Sequence, residues 1–364
     1  MNKVKLAIIG LGSMGQKYAE MLLQQKIKQA ELVAVCSGTP KKLEKMKKKY
    51  GKKLHYYEEK EKLWSDPTVD AVLITTPHYS HPQLAQEAIR ANKHFLCEKP
   101  IGVYTKNVVT LNEKIKKNPA LTCAIVFNQR TQPIYKKAKE LVDQVALGEI
   151  RRNNWISTDW YRPQEYYDAI DWRGSWKEDG GGVLLNQAVH QLDLWQWICG
   201  MPQRIYGHIY PGKLRNIEVE TEGTIYAEYK NGATGFFTAA TTEAIGTNRF
   251  EIVGSTGKLV IENEQLHLWK MTQDETFWRQ IEDTPKYQEV PIEIINEKDQ
   301  QHQKVIENFV QAILYDEPLL APATEGIKSL SLINATYLSS WKGQRVNLPL
   351  DHHLYFEELN KRKQ

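Results

Sequence analysis

The sequence has few cysteines, and none are paired. Cys36, Cys97, Cys123 and Cys199 stand far apart, and no CxxC is present. That spacing argues against a disulfide framework and against a cysteine-based zinc site, so no metal is expected. It leaves reduced thiols in a cytoplasmic protein as the expectation. No apolar run reaches the roughly 18 residues that a membrane span needs. The opening residues, MNKVKLAIIG, lack the length and flanks of a signal peptide. A strong charge of either sign is also missing. Against 48 Lys and Arg stand 44 Asp and Glu, a net of +4, too little to imply nucleic acid.

The chain has 364 residues, 41% hydrophobic and 25% charged, as in a globular protein. That length exceeds one core of ordinary size and predicts two domains. The run VKLAIIG reads as a strand buried on both faces. It leads into GLGSMG, in which Gly10, Gly12 and Gly15 form G-x-G-x-x-G, followed by a helix from Met14. Strand, glycine turn and helix together form the context of dinucleotide binding. Gly10 permits the tight turn, Gly12 admits the pyrophosphate to backbone N–H groups, and Gly15 lets helix and strand pack closely. Ser13 and Met14 open the helix, whose N-terminus carries partial positive charge toward the phosphates.

Strands read at Glu31–Ser37, Val69–Pro77, KHFLCEKP and LTCAIVFN alternate with helices at PKKLEKMKKKYG, PQLAQEAIRAN and TKNVVTLNEKIKK. This alternation predicts a doubly wound parallel sheet with its ligand beyond the strand ends. The second strand ends in Ser37, Gly38 and Thr39, with Lys41 and Lys42 close behind. NAD-selective folds place an Asp or Glu there. A serine and lysines accommodate a 2′-phosphate instead, so NADP is favoured over NAD, with use of both left open. The lysines also read as the solvated face of a helix. At Glu98-Lys99-Pro100 a lysine closes a strand at the crevice. Its ammonium can donate to a substrate oxygen, although alone the tripeptide equally suits a surface lysine.

Beyond residue 125 the pattern changes. Alternating faces around Asn231-Gly232 and around GSTG predict hairpins of an antiparallel sheet. Before them lies an aperiodic segment rich in Trp160, Tyr161, Arg162, Tyr166, Tyr167, Trp172, Arg173 and Trp176. It reads as a loop, with flat aromatics for sugar rings and Arg forks for oxygens. Arg162, Trp172 and Arg173 are the candidate pocket residues. The stretch GGGVLLNQAVHQLDLWQWICG has apolar residues at helical spacing, with Asn186, His190 and Asp193 on one face. Read locally, His190 is either a core histidine or a proton carrier.

Taken in order, GLGSMG, TTPHYSH, EKP and GGGVLLNQAVHQLD resemble the Gfo/Idh/MocA family, that of glucose–fructose oxidoreductase and inositol dehydrogenase. The resemblance extends over nearly the whole chain, including two C-terminal helices in HQKVIENFV through VNLPL. It implies an α/β protein with an N-terminal Rossmann domain over residues 1–125. A C-terminal α/β domain built on a large open antiparallel sheet would follow over residues 126–364. It implies hydride transfer between NAD(P) and a secondary alcohol or ketone of a sugar or inositol. Thr76, Pro77, His81 and Glu98 would line the cofactor crevice. Lys99 would lie near nicotinamide and substrate, and Asn128 would sit where the chain leaves the first domain. His190 would be the acid/base residue. Asn186 stands where the family commonly has Asp, so the proton role falls to His190 with Lys99, and Asn186 positions a hydroxyl. Subunit contacts through the open sheet imply a homo-oligomer, a dimer or tetramer. Three alternatives remain within this reading. They are a glycosidase working by transient oxidation, a reductase of an unlike substrate, and a regulatory NAD(P)-binding protein without turnover.

Overall fold

Short apolar runs near the N-terminus form six strands: β1 Val4–Ile9, β2 Ala30–Cys36, β3 His55–Tyr57, β4 Ala71–Ile74, β5 His94–Cys97 and β6 Cys123–Ile125. In the computed structural model, which describes residues 3–294 and 300–363, they form one parallel sheet in the order β3-β2-β1-β4-β5-β6. Every residue of β4 is buried, as is most of β1. A parallel strand covered on both faces has no need to alternate polar and apolar residues. The order reverses direction between β1 and β4, and in such sheets a ligand binds beyond the strand ends at that point. The glycine turn follows β1, and Thr76-Pro77 follows β4. The sequence reading passed over β3 and the short helix Lys60–Trp64, both too short to show a period.

The chain divides into two compact units. The first takes in residues up to 131 together with 300–327, and the second takes in 132–294 and 328–363. The expected boundary at residue 125 therefore moves, and a segment expected in the second domain joins the first unit. The reason is burial. Helix Gln301–Tyr315 puts Val305, Ile306, Phe309 and Val310 into one core with Leu6, Ile8, Tyr18 and Leu96. Arg130, 1% exposed, anchors the end of this segment through Glu325 at 2.6 Å and the Leu320 carbonyl at 3.2 Å.

The second unit carries a nine-stranded sheet. Its strands are β7 Ile150–Ser157, β8 Arg204–Pro211, β9 Glu220–Glu228, β10 Thr234–Ala240, β11 Asn248–Gly254, β12 Gly257–Glu262, β13 Gln265–Met271, β14 Tyr287–Val290 and β15 Val346–Asn347. The order is β14-β13-β12-β11-β7-β10-β9-β8-β15. Pairing is antiparallel except between β7 and β10, which run parallel, so this is the expected large antiparallel sheet with one parallel pair. The Asn231-Gly232 turn joins β9 to β10 as expected, with Gly232 at φ +85°.

Period-two burial sends Asn153, Trp155 and Ser157 to the covered face and Arg152 and Ile156 to the other. Trp155 is fully buried, stacks on Phe250 at 4.2 Å and meets Phe237 edge-on. Helix Val189–Cys199 lies against this face, and its Trp195 donates to Asn153 at 2.6 Å. On the opposite face Tyr206, Tyr226 and Phe236 stand side by side in register and are each about two-fifths exposed, at 44%, 39% and 40%. Among the described residues no helix is long and apolar enough to cross a membrane, and no cluster of metal-ligating side chains forms.

Trp155→Ala is expected to destabilise the second unit by about 3–5 kcal/mol, the usual cost of truncating a buried large aromatic. Urea unfolding followed by circular dichroism measures it, and an unchanged midpoint would contradict the packing described.

Candidate active site

In the first unit the glycine turn has little room. A side chain at Gly15 would place Cβ 2.0 Å from the Gly10 carbonyl oxygen, so helix Ser13–Leu23 packs against β1 only with glycine there. Gly10 itself has φ +99°, and its Cβ would meet the Thr75 carbonyl at 2.7 Å. Gly12 differs, since nothing lies within 4 Å of a Cβ built on it. It stands at the N-cap, where no side chain answers the first backbone N–H groups of the helix. Free donors, open volume and the positive end of a helix fit a pyrophosphate. At the end of β2, Ser37 is buried and its backbone N–H donates to Tyr57. Gly38, Thr39 and Lys41 are exposed, and no carboxylate stands among them.

Lys99 is half-buried just past the end of β5, within a turn held from both sides. Beneath it His81 is fully buried, with Nδ1 2.7 Å from the Pro100 carbonyl and Nε2 2.7 Å from the Thr76 carbonyl. This corrects the expectation that His81 lines the crevice. With no exposed surface it ties the loop after β4 to the EKP turn. Burial, and less strongly the Lys99 charge, lower its pKa. Glu98 is also buried. It accepts from the Tyr18 hydroxyl and, at 3.1 Å, from the Lys99 N–H. Tyr18 lies 3.0 Å from His302 Nδ1. Burial, together with the charges of Lys17 and Lys99, pushes His302 down to about 4, whereas burial raises Glu98. Tyr18 and His302 were invisible to sequence reasoning because they meet only when helix Gln301–Tyr315 joins this unit. Asn128 is buried and donates to Gln301 at 2.7 Å.

In the second unit the glycine triplet is explained by one carboxylate. Glu220, on β9 and fully buried, accepts from the N–H groups of Gly182 at 2.8 Å and Leu184 at 2.9 Å, and from the Tyr337 hydroxyl at 2.8 Å. Burial pushes its carboxyl up to about 7 against the pull of these donors. A Cβ at Gly182 would lie 1.8 Å from the Glu220 carbonyl oxygen, and one at Gly181 would lie 2.4 Å from the Tyr337 hydroxyl.

The helix expected across Val183–Cys199 is interrupted. It forms as Val183–Asn186 and Val189–Cys199. The Ala188 N–H reaches back five residues to the Val183 carbonyl at 2.8 Å, and this wide turn shifts the register by a residue. The single face drawn through Asn186, His190 and Asp193 is therefore not kept. Asp193 is 1% exposed and accepts from Gln196. Between Val183 and Leu194 only Asn186, Gln187 and His190 escape burial. Asn186 Nδ2 donates to Asp179 Oδ1 at 2.8 Å and to the Gly181 carbonyl at 3.1 Å.

Beside them lies the aromatic loop, of which Gln164–Asp168 is a short helix. The Arg173 and Arg162 guanidinium carbons sit 4.2 and 5.0 Å from the Tyr166 ring centroid, and Trp172 is 5.6 Å from Arg173. Gln187 donates to the Tyr166 hydroxyl at 3.2 Å. Arg162, Trp172 and Arg173 thus form one half-buried group, joined through Tyr166 and Gln187 to the helix of His190. Asp179, Tyr166, Gln187 and Glu220 were not singled out from the sequence as site residues. The aromatic-arginine composition of the loop was the only signal available for any of them.

A nucleotide-binding parallel sheet joined to a mixed sheet unit, with lysine at a strand end and histidine on a helix, defines a class of dehydrogenase. The comparisons agree. Residues 4–124 match the model of the oxidoreductase family with an NAD-binding Rossmann fold, and residues 135–260 match that of the GFO/IDH/MocA C-terminal domain. The chain belongs to this Gfo/Idh/MocA family of oxidoreductases. Myo-inositol 2-dehydrogenase of Thermotoga maritima is 28% identical over 268 residues, 71% of this chain and 75% of that protein. Levoglucosan dehydrogenase of Pseudarthrobacter phenanthrenivorans is 27% identical over 227 residues, 55% and 57% of the two chains. Among solved structures, the WlbA dehydrogenase of Chromobacterium violaceum, in complex with NADH and UDP-GlcNAcA, superposes with a TM-score of 0.81. The identity is 25%, covering 96% of this chain and 97% of that one.

The geometry around Asn186 generates a prediction. Asn186→Asp sets a carboxylate against the buried Asp179 oxygen, and two such groups share one proton. The shared proton raises a folded-state pKa, so stability is fully present below the ordinary Asp value and is lost as pH rises through the folded value. Urea midpoints should show a variant-to-parent gap that is small at about pH 3.5 and grows to roughly 1–3 kcal/mol by about pH 7. A gap independent of pH would refute the pairing.

Proposed function

We propose that this protein is an NAD(P)-dependent dehydrogenase acting on a secondary alcohol of a sugar or cyclitol. The observation that carries the reading is the half-buried His190, placed with Asn186 and Gln187 on an otherwise buried helix. The names of the relatives, an inositol and a levoglucosan dehydrogenase, point to the same substrate class. Gly10, Gly12, Ser13, Met14 and Gly15 hold the pyrophosphate, and Thr76 and Pro77 border the crevice. The bound nicotinamide cofactor supplies the hydride acceptor or donor. His190 takes the hydroxyl proton, because imidazole titrates near neutrality. Lys99 donates to the same oxygen and stabilises its developing negative charge. The amide of Asn186, held by Asp179, positions a substrate hydroxyl.

Ser37, Gly38, Thr39 and Lys41, with no carboxylate among them, favour NADP. Four free thiols, three of them buried, suit a reducing cytoplasm. The exposed row Tyr206, Tyr226 and Phe236 is covered by a second copy of the chain, because a contiguous aromatic patch on a sheet face is costly in water. Phe236→Glu should reduce the mass measured by light scattering, and an unchanged mass would argue against this interface.

Lys99→Ala and His190→Ala are each expected to reduce turnover at least 100-fold, with cofactor binding by fluorescence titration retained. Polyols are screened with NAD and with NADP by absorbance of the reduced cofactor. Near-parental turnover in either variant would defeat its assigned role. No reduction of either cofactor by any polyol would defeat the dehydrogenase reading.

A further inference from the structure

The aromatic loop carries Arg162 and Arg173, and Arg215 reaches it from the connection between β8 and β9; none of the three has a counter-ion among the described residues. Among the described residues no carboxylate lies within 4.0 Å of their nitrogens. Their partners are all neutral. Arg162 donates to the Tyr161 carbonyl at 3.1 Å, Arg173 to the Tyr166 carbonyl at 2.8 Å and Arg215 to the Arg162 carbonyl at 2.7 Å. The remaining contacts are with ring faces. Arg162 and Arg173 both address Tyr166, and Arg215 lies 5.2 Å from the centre of Tyr161. Arg162 Nε and Arg215 Nη2 are buried with no hydrogen-bond partner. Other arginines of this unit are paired, as Arg152 is with Glu251 and Arg249 with Glu262.

Charge withdrawn from water without a counter-ion is costly, and a guanidinium carries five N–H donors in a fork that matches carboxylate or phosphoryl oxygens. Tyr166 orients two of these forks together. Its hydroxyl is tied to Gln187, three residues before His190. The anion-binding cluster therefore belongs to the same unit, and the same short stretch of it, as the proton carrier.

We infer that the substrate is an anionic sugar, whose carboxylate or phosphoryl group is held by Arg162 and Arg173 while His190 acts on a hydroxyl of the same molecule. Arg215 fixes the loop backbone at Arg162 and adds to the positive field. This inference rests on the dehydrogenase reading above and narrows its substrate class. Trp172, packed on Arg173, offers a flat wall for the sugar ring.

The test compares hexoses with the matching hexuronates and hexose 6-phosphates, using the full-length protein and NAD or NADP. At least tenfold higher kcat/KM for the anionic members, falling as salt is raised, is the expected result. A greater preference for uronates identifies the group as carboxylate, and one for phosphates as phosphoryl. Arg173→Gln should raise KM for the anionic sugar about tenfold or more, and Arg173→Lys should restore only part of it, since an ammonium lacks the fork. A role confined to loop structure would instead depress kcat for neutral and anionic sugars alike, and that outcome overturns the inference. Equal or better turnover of the neutral sugars also overturns it while leaving the dehydrogenase reading intact. Absence of turnover for every member, with cofactor bound, overturns both.

Discussion

The second unit is organised around a carboxylate that is costly to bury. Glu220 is removed from water entirely, yet it lies at the start of the helix that carries Asn186. A short helix begins with orphan N–H groups, and here a side chain from β9 satisfies two of them. The approach is so close that no residue larger than glycine fits at position 182. Tyr337 brings the third donor from helix Gly326–Lys342. It packs edge-on against Trp176 and stacks toward Trp341, which in turn stacks on Tyr355. One carboxylate thus fixes three elements to one another: the sheet, the helix leading to His190 and the C-terminal aromatic stack. Any tilt of that first helical turn would leave donors or the charge unsatisfied, so its direction is closely specified.

The first unit solves a similar problem at the EKP turn with opposite chemistry. Its buried anchor is a histidine rather than a carboxylate. His81 faces two carbonyl oxygens at 2.7 Å. A neutral ring donates to only one of them, and a protonated ring donates to both. Burial disfavours the charge and is the larger effect. Glu98 sits on the other side with Tyr18 and His302, again withdrawn from water. Lys99 follows directly on this base, its backbone N–H donating to the Glu98 carboxyl, whose pKa burial raises.

Much of this was legible in the sequence, and the boundary of legibility is physical. The glycine fingerprint could be read because Gly10 and Gly15 answer local steric demands, a positive φ at the turn and the close approach of helix to strand. Strand and helix alternation could be read because two-sided burial leaves apolar runs such as VLI in β4. The hairpin at Asn231-Gly232 was visible because its turn chemistry is local. What could not be read depends on residues distant in sequence. Nothing near Gly182 announces Glu220, and nothing near Tyr18 announces His302. The apolar pattern of 301–315 showed a helix but not which core it would complete. The break after Asn186 was hidden because apolar spacing survives a one-residue register shift in a helix buried on nearly every side. Only Gln191, Asp193 and Gln196, polar yet buried, hint that the ordinary amphipathic reading does not apply there.

Asn186 shows how such a departure is stabilised. The resemblance read from the sequence implied an aspartate at this position, and here an amide takes its place. The amide suits what faces it. Asp179 is 3% exposed and accepts from the Gly174 N–H through its other oxygen. An aspartate at position 186 offers no donor, whereas the amide offers two N–H bonds, one to Asp179 and one to the Gly181 carbonyl. The second bond closes over the glycine triplet, so the amide also buttresses the turn that Glu220 caps. The acid of this neighbourhood, Asp179, lies in the loop and is committed to hydrogen bonds with Gly174 and Asn186. Of the three accessible side chains on the broken helix, Asn186 and Gln187 are amides that do not titrate. Of the three, only the imidazole of His190 is of a type that gains and loses a proton near neutrality.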